Sequence, residues 1–228
     1  MKRYDIELFS TPLTVIKLNL KHQGDIFKEY VPKVYEHYKE TKNIKKTSVD
    51  VHKENYTSDT NGYTSFYTGT LLERLEFEPL QKYLDSAIKL SLSEKEKTDK
   101  FDLKWMDFWY TIYGSGKNVE EHFHPNCIIS GVYYLKCPKN CGDIIFVDNT
   151  YNYKNYCVNI SQLKTFTYLK EYRITPEEGM ILLFPSWLLH KTDFNRSDED
   201  RIMFAFNLVP TKKDFKNVFT GSNSFFNQ

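Results

Sequence analysis

The chain has 228 residues with 31 Lys+Arg against 30 Asp+Glu, a formal net charge of +1, so no global field draws it to nucleic acid or an anionic membrane. Its 40% hydrophobic content is enough for one sizeable core, and 16% aromatics agrees with a β-rich protein whose inner faces are packed with rings. One domain is expected over residues 1–228, made of N-terminal support (1–100), a β core (101–210) and a C-terminal tail (211–228).

The start, Met1-Lys2-Arg3-Tyr4-Asp5-Ile6-Glu7, has acidic residues on both sides of Ile6 and no apolar run of signal-peptide length, and no later segment approaches a membrane span. A cytoplasmic protein is the expectation. Thr14 to Leu20 puts Ile16, Leu18 and Leu20 on one face and predicts a strand. Asp25 is then placed as the cap of a helix carrying Ile26, Phe27, Tyr30, Val34, Tyr35 and Tyr38 at helical spacing, with a kink at Pro32. Residues 43–62 show little periodicity and read as loop. Glu78-Pro79 opens the clearest helix, because Leu80, Tyr83, Leu84, Ala87, Ile88, Ser91 and Leu92 fall on one face. The charged run Glu94 to Lys100 reads as its solvated exit.

From Leu103 the pattern changes to short strands, predicted at 103–113, 128–136, 143–148, 165–174, 180–184 and 201–208, with turn chemistry at Gly142-Asp143 and Pro176-Glu177-Glu178-Gly179. The fold class is therefore mainly β with an α-helical layer, as a sandwich or jelly-roll barrel on which N-terminal helices pack. Four cysteines, Cys127, Cys137, Cys141 and Cys157, lack the spacing of a zinc site and read as reduced thiols.

The chemistry gathers in Glu120-Glu121-His122-Phe123-His124-Pro125-Asn126. In extended backbone His122 and His124 present two imidazoles on one face, whereas Glu121 points to the other. His190 follows the apolar run from Met180 to Leu189, and Arg201 comes eleven residues later at the head of another strand. Three histidine nitrogens form a facial set that leaves octahedral positions open, which suits non-haem Fe(II). A guanidinium in a barrel interior needs an anionic partner and binds a carboxylate bidentately. His22, His37 and His52 lack partners at ligand spacing and read as ordinary polar side chains.

With these residues the sequence resembles the 2-oxoglutarate/Fe(II)-dependent dioxygenase superfamily, whose fold is the double-stranded β-helix (jelly roll, cupin-like). It is more closely similar to an oxygenase subgroup through His122-Phe-His124-Pro125, Ser130-Gly-Val-Tyr-Tyr134, Phe184-Pro-Ser-Trp-Leu-Leu-His190 and Arg201-Ile-Met-Phe-Ala-Phe-Asn207, with Phe9-Ser-Thr-Pro12 and Ser58 to Ser65 matching earlier. The resemblance implies His122 and His190 as metal ligands and Arg201 as anchor of the 2-oxoglutarate distal carboxylate; His124, which the spacing offers as the third ligand, has as its alternative a residue that orients a ligand or water. It adds Tyr113, Ser130 and Tyr134 as residues near that cosubstrate. The departure is His124, where the superfamily carries Asp or Glu; three-histidine iron sites occur in thiol dioxygenases.

The implied activity is hydroxylation of an amino acid, peptide side chain or small metabolite with Fe(II), 2-oxoglutarate and dioxygen. Two rivals stand beside it: a three-histidine cupin-type dioxygenase without a keto-acid, and a non-catalytic metal-binding β-sandwich. Target recognition is expected in residues 43–70 and 149–164, no basic strip favours nucleic acid, and a homodimer is left open. Trp105, Trp109 and Tyr113 read as one face of a strand, with Asp107 and Thr111 between them.

Overall fold

The computed structural model describes residues 10–42, 62–95, 103–150 and 170–211. Nine strands and two helices follow in order: β1 (Thr14–Lys17), α1 (Leu20–Thr41), β2 (Tyr63–Thr64), α2 (Glu78–Lys95), β3 (Leu103–Tyr113), β4 (Ile129–Lys136), β5 (Ile144–Val147), β6 (Glu171–Ile174), β7 (Met180–Pro185), β8 (His190–Thr192) and β9 (Arg201–Pro210). Short 3₁₀ turns at Ser65–Thr68 and Leu71–Glu73 lie between β2 and α2. A six-stranded sheet has the order β1-β7-β4-β9-β3-β2 and a three-stranded sheet the order β6-β5-β8, all pairs antiparallel. Together they make a double-stranded β-helix.

Strict alternation gives the large sheet two buried faces. Phe108, Tyr110, Ile112, Tyr133, Leu135, Ile181, Leu183, Ile202, Phe204 and Phe206 pack with Tyr30 and Val34 of α1 and Leu80, Leu84 and Ile88 of α2. Tyr113, Val132, Tyr134, Met180, Leu182, Phe184 and Met203 face the other way and meet Ile144 and Phe146 of the small sheet. The helices therefore back the large sheet, and the interior between the two sheets is left for the site. Gly131 is required by this packing, because a Cβ there would collide with the Phe206 ring.

Two expectations need correction. α1 begins at Leu20, five residues before Asp25, and the predicted strand ends at Lys17. Asn19 rather than Asp25 stands at the helix entry, where its carbonyl already accepts from Gln23 N at 3.1 Å. The helix then continues through Pro32 to Thr41.

Trp105 does not share a face with Trp109 and Tyr113. A register shift between Trp105 and Asp107 makes Met106 an extra residue, so Trp105 turns to the helical side and packs on Phe108 and Phe206 at 5.3 and 4.5 Å. β2 and β8 were not anticipated. The loop expected at 43–62 and the first part of the strand expected at 165–174 fall mostly outside the described residues, as do His52, Cys157, Phe9 and the tail. The remaining strands agree within one or two residues. No helix among the described residues is long and apolar enough to cross a membrane.

Candidate metal centre and its cavity

The three histidines come from two segments that pair as backbone before their side chains meet. His122 N donates to His190 O and His190 N donates to His122 O, both at 2.9 Å, and His124 N donates to Ser186 O at 2.9 Å. This short ladder sets all three imidazoles on one point, with one ligand atom of each within 4.8 Å of the others. The cluster includes no carboxylate. Glu121 points outward as expected and lies 3.9 Å from Lys191.

Tautomers follow from the hydrogen bonds. His122 Nδ1 donates to Glu120 O at 2.7 Å and His190 Nδ1 donates to Leu188 O at 2.9 Å, so each turns an Nε2 lone pair inward. His124 Nε2 is 3.3 Å from His190 Nε2. Two nitrogens each about 2.1 Å from one metal at a right angle stand about 3 Å apart, so this spacing accommodates an ion. Burial lowers the pKa of all three, His190 well below the ordinary imidazole value, and His124 falls to about 4 with the neighbouring His122 adding to the effect. Neutral imidazoles in a desolvated cluster are the donors that a divalent transition metal requires.

Rings pack directly on the ligands. Trp109 stacks on His124 at 5.7 Å and Phe184 meets His190 edge-on at 4.8 Å. The cavity in front measures about 470 Å³ and is lined mostly by apolar groups, among them Phe66, Tyr67, Met106, Phe123 and Met203.

The second cluster is built around Arg201, which is fully buried at 0% exposure. Its Nη1 donates to the carbonyls of Cys141 and Gly142 at 2.9 and 3.0 Å, and its guanidinium lies 4.3 Å from the Tyr113 ring centroid. Gly142 has φ +87°, and a side chain there would strike the Asp193 and Phe194 carbonyls, so the turn that offers these oxygens depends on glycine. Arg201 Nε, Arg201 Nη2 and the Tyr134 hydroxyl are buried with no partner among the described residues. Burial raises the Tyr134 pKa while Arg201 opposes the shift, so the phenol remains a donor. A buried donor left unpaired costs about 1–3 kcal/mol, more when charged, so three together mark the place of a missing acceptor. An anion with at least two oxygens fits.

The residues singled out from the sequence are thus brought together as two clusters, with Tyr113 lining the cavity and touching Arg201. Ser130 is the exception. Its Oγ is engaged by Ser186 Oγ at 2.9 Å and Asn207 Oδ1 at 2.8 Å, so this hydroxyl is already satisfied within the sheet, unlike that of Tyr134. Of the cavity residues, Phe66 and Tyr67 lie in the 43–70 stretch expected to recognise the target, and Asp107 was placed on the β3 face without a role; Asn118 was not singled out. The alternation of β3 beyond the bulge assigns Asp107 to the cavity; Phe66 and Tyr67 sit in the 3₁₀ turn Ser65–Thr68, too short to show a period. His37 keeps its plain reading, with Nδ1 2.9 Å from the Tyr110 hydroxyl. The described cysteines are free thiols.

Comparison with known proteins agrees with this geometry. Residues 107–207, a little under half of the chain, match the family model described as "Putative 2OG-Fe(II) oxygenase". The matched region includes all three histidines and Arg201. HygX from Streptomyces hygroscopicus, solved with nickel and 2-oxoglutarate bound, is 12% identical with a TM-score of 0.55 over 89% of this chain and 84% of its own. A prolyl hydroxylase from Trichoplax adhaerens, in complex with a hypoxia inducible factor oxygen degradation domain peptide fragment, is 15% identical with a TM-score of 0.56 over 91% and 87%. At such identities the likeness is one of fold. An oxidoreductase of the 2OG-Fe(II) oxygenase family from Burkholderia pseudomallei aligns over 60% of this chain and 59% of its own length, at 11% identity and a TM-score of 0.46. No curated protein matches the chain in sequence.

Proposed function

We propose that the protein is an Fe(II)- and 2-oxoglutarate-dependent dioxygenase of the hydroxylase type. The observation that carries this reading is the pairing of the two clusters: three inward imidazole nitrogens, and a buried guanidinium with two unpartnered N–H groups beside an unpartnered phenol. His122, His124 and His190 would hold Fe(II). Arg201 Nε and Nη2 with the Tyr134 hydroxyl would receive the distal carboxylate of 2-oxoglutarate, and Tyr113 would orient both.

When bound, iron supplies dioxygen activation coupled to oxidation of the keto-acid. The balance is substrate C–H plus O₂ plus 2-oxoglutarate giving C–OH, succinate and CO₂, with one oxygen atom in each of the alcohol and the succinate. The chain's own part is positional. Its carbonyls at Glu120 and Leu188 fix the imidazole tautomers, and those at Cys141 and Gly142 fix the guanidinium. The apolar wall excludes water so that Arg201 acts in a low dielectric.

The structural likeness to a prolyl hydroxylase in complex with a peptide fragment keeps a peptide side chain among the substrates of this reading, beside an amino acid or a small metabolite. The test is turnover without any added substrate: purified protein with Fe(II), 2-oxoglutarate and oxygen should form succinate slowly, and His190→Ala should not. Absence of iron-dependent succinate in the wild type would favour a dioxygenase that uses no keto-acid.

A further inference from the structure

Three motif residues outside the Arg201 cluster form a chain of hydrogen bonds that ends on one carboxylate. Ser130 on β4, Ser186 just after β7 and Asn207 on β9 are buried, at 1%, 0% and 3% exposure. Ser130 Oγ is bonded to Ser186 Oγ at 2.9 Å and donates to Asn207 Oδ1 at 2.8 Å, while Asn207 Nδ2 donates to Asp107 Oδ2 at 3.1 Å. With the amide oxygen engaged by a hydroxyl, the amide nitrogen is committed to the carboxylate. Asp107 and Asn207 are also direct cross-strand partners, and both line the cavity.

The carboxylate held in this way has no ion-pair partner among the described residues, and its second oxygen takes no hydrogen bond there. It is the sole acidic side chain lining the cavity, and no Lys or Arg lines it. Around it the wall is aromatic and soft. Trp109, two residues along the same face, meets Phe66 edge-on at 5.0 Å, and Phe66 is 44% exposed. Met106 and Tyr67 also contribute to the cavity wall. A carboxylate beside ring faces recognises an organic cation, whose charge pairs with the oxygen while its carbon stem rests on the rings. A neutral ligand closing over the same site would strand a desolvated carboxylate.

Position along the strand adds a direction. Tyr113, against which Arg201 packs, and Asp107 are six residues apart, about 20 Å in extended backbone. Trp109, stacked on His124, lies between them. Asp107 and the Arg201 cluster therefore stand on opposite sides of the three histidines along β3.

We propose that Asp107, held by Asn207 and Ser130, binds the cationic group of the substrate, which makes the substrate an alkylammonium or guanidinium compound. This rests on the oxygenase reading of the site. Binding is measured by calorimetry on the full chain loaded anaerobically with Mn(II) and 2-oxoglutarate. The probes are lysine, arginine and 1,5-diaminopentane, each beside a counterpart without the distal charge: norleucine and citrulline, which keep the α-ammonium, and 1,5-pentanediol, which has no charge. At least one cation should bind more tightly than its counterpart, Asp107→Asn should lose roughly tenfold to hundredfold in that affinity, and Asp107→Glu should recover part of it. The diamine against the two amino acids separates a free amine from an amino-acid substrate. Equal binding of cations and counterparts, binding of neither, or an Asp107→Asn variant with wild-type affinity overturns the proposal. Wild-type succinate formation without any amine is assayed in parallel: its absence sinks the oxygenase reading, while cation binding lost in Asp107→Asn would stand without it.

Discussion

Arg201 and Tyr113 face each other as cross-strand partners on β9 and β3, and the guanidinium lies 4.3 Å from the ring centroid. With Nη1 taken by two carbonyls, only Nε and Nη2 remain, which is one edge of the fork and suits a bidentate carboxylate. Arg201→Ala should therefore weaken 2-oxoglutarate binding by about 2–5 kcal/mol. Arg201→Lys should recover only part, because an ammonium keeps the charge and loses the fork. Calorimetric titration of each variant with 2-oxoglutarate checks this, and equal affinities in wild type and Arg201→Ala would contradict it.

Tyr134 gives a finer test of the same pocket. Its hydroxyl is buried without a partner, so Tyr134→Phe removes an unsatisfied donor from the empty site while removing a bond from the filled one. The unliganded protein should be no less stable than wild type in denaturant, and 2-oxoglutarate affinity should fall by about 1 kcal/mol. Lost stability with unchanged affinity would place the hydroxyl's role in the core.

Metal binding should depend on each imidazole. About one Fe(II), or Mn(II) in its place, is expected per chain, and His122→Ala or His190→Ala should abolish occupancy measured by elemental analysis. For His124 the order should be wild type, then His124→Asp, then His124→Ala, since Asp supplies a carboxylate ligand in its place and Ala opens a position. Matching Asp and Ala variants that both retain iron would remove His124 from the ligand set.

Gly131→Ala tests the packing that carries the site. The added methyl meets the Phe206 ring, which Trp105 confines on its other side at 4.5 Å between centroids, so little room exists to yield. A loss of about 1–3 kcal/mol in chemical denaturation is expected, with loss of metal affinity only to the extent that β4 shifts.

Much of this arrangement was legible because alternation and helical spacing report burial directly. Leu80, Leu84 and Ile88 announced α2, and the spacing of His122 and His124 announced the cluster, since both patterns are local. What escaped was set by partners distant in sequence. β8 has three residues and is defined by its pairing with β5 and the bridge from His190 to His122. Asp107 and Trp105 were misplaced relative to each other because one extra residue reverses a strand's faces without disturbing its composition. Ser130 was drawn toward the cosubstrate by its motif, whereas its geometry ties it to Asn207 and through that amide to Asp107.

The central claim, that the three histidines and the Arg201 cluster bind one iron and one keto-acid together, is tested most directly by anaerobic absorbance titration of the Fe(II)-loaded protein with 2-oxoglutarate. A visible charge-transfer band that saturates near one equivalent per chain is predicted for the wild type, and no band for His190→Ala. An Fe(II)-loaded wild-type protein that develops no band and binds no 2-oxoglutarate would contradict the account.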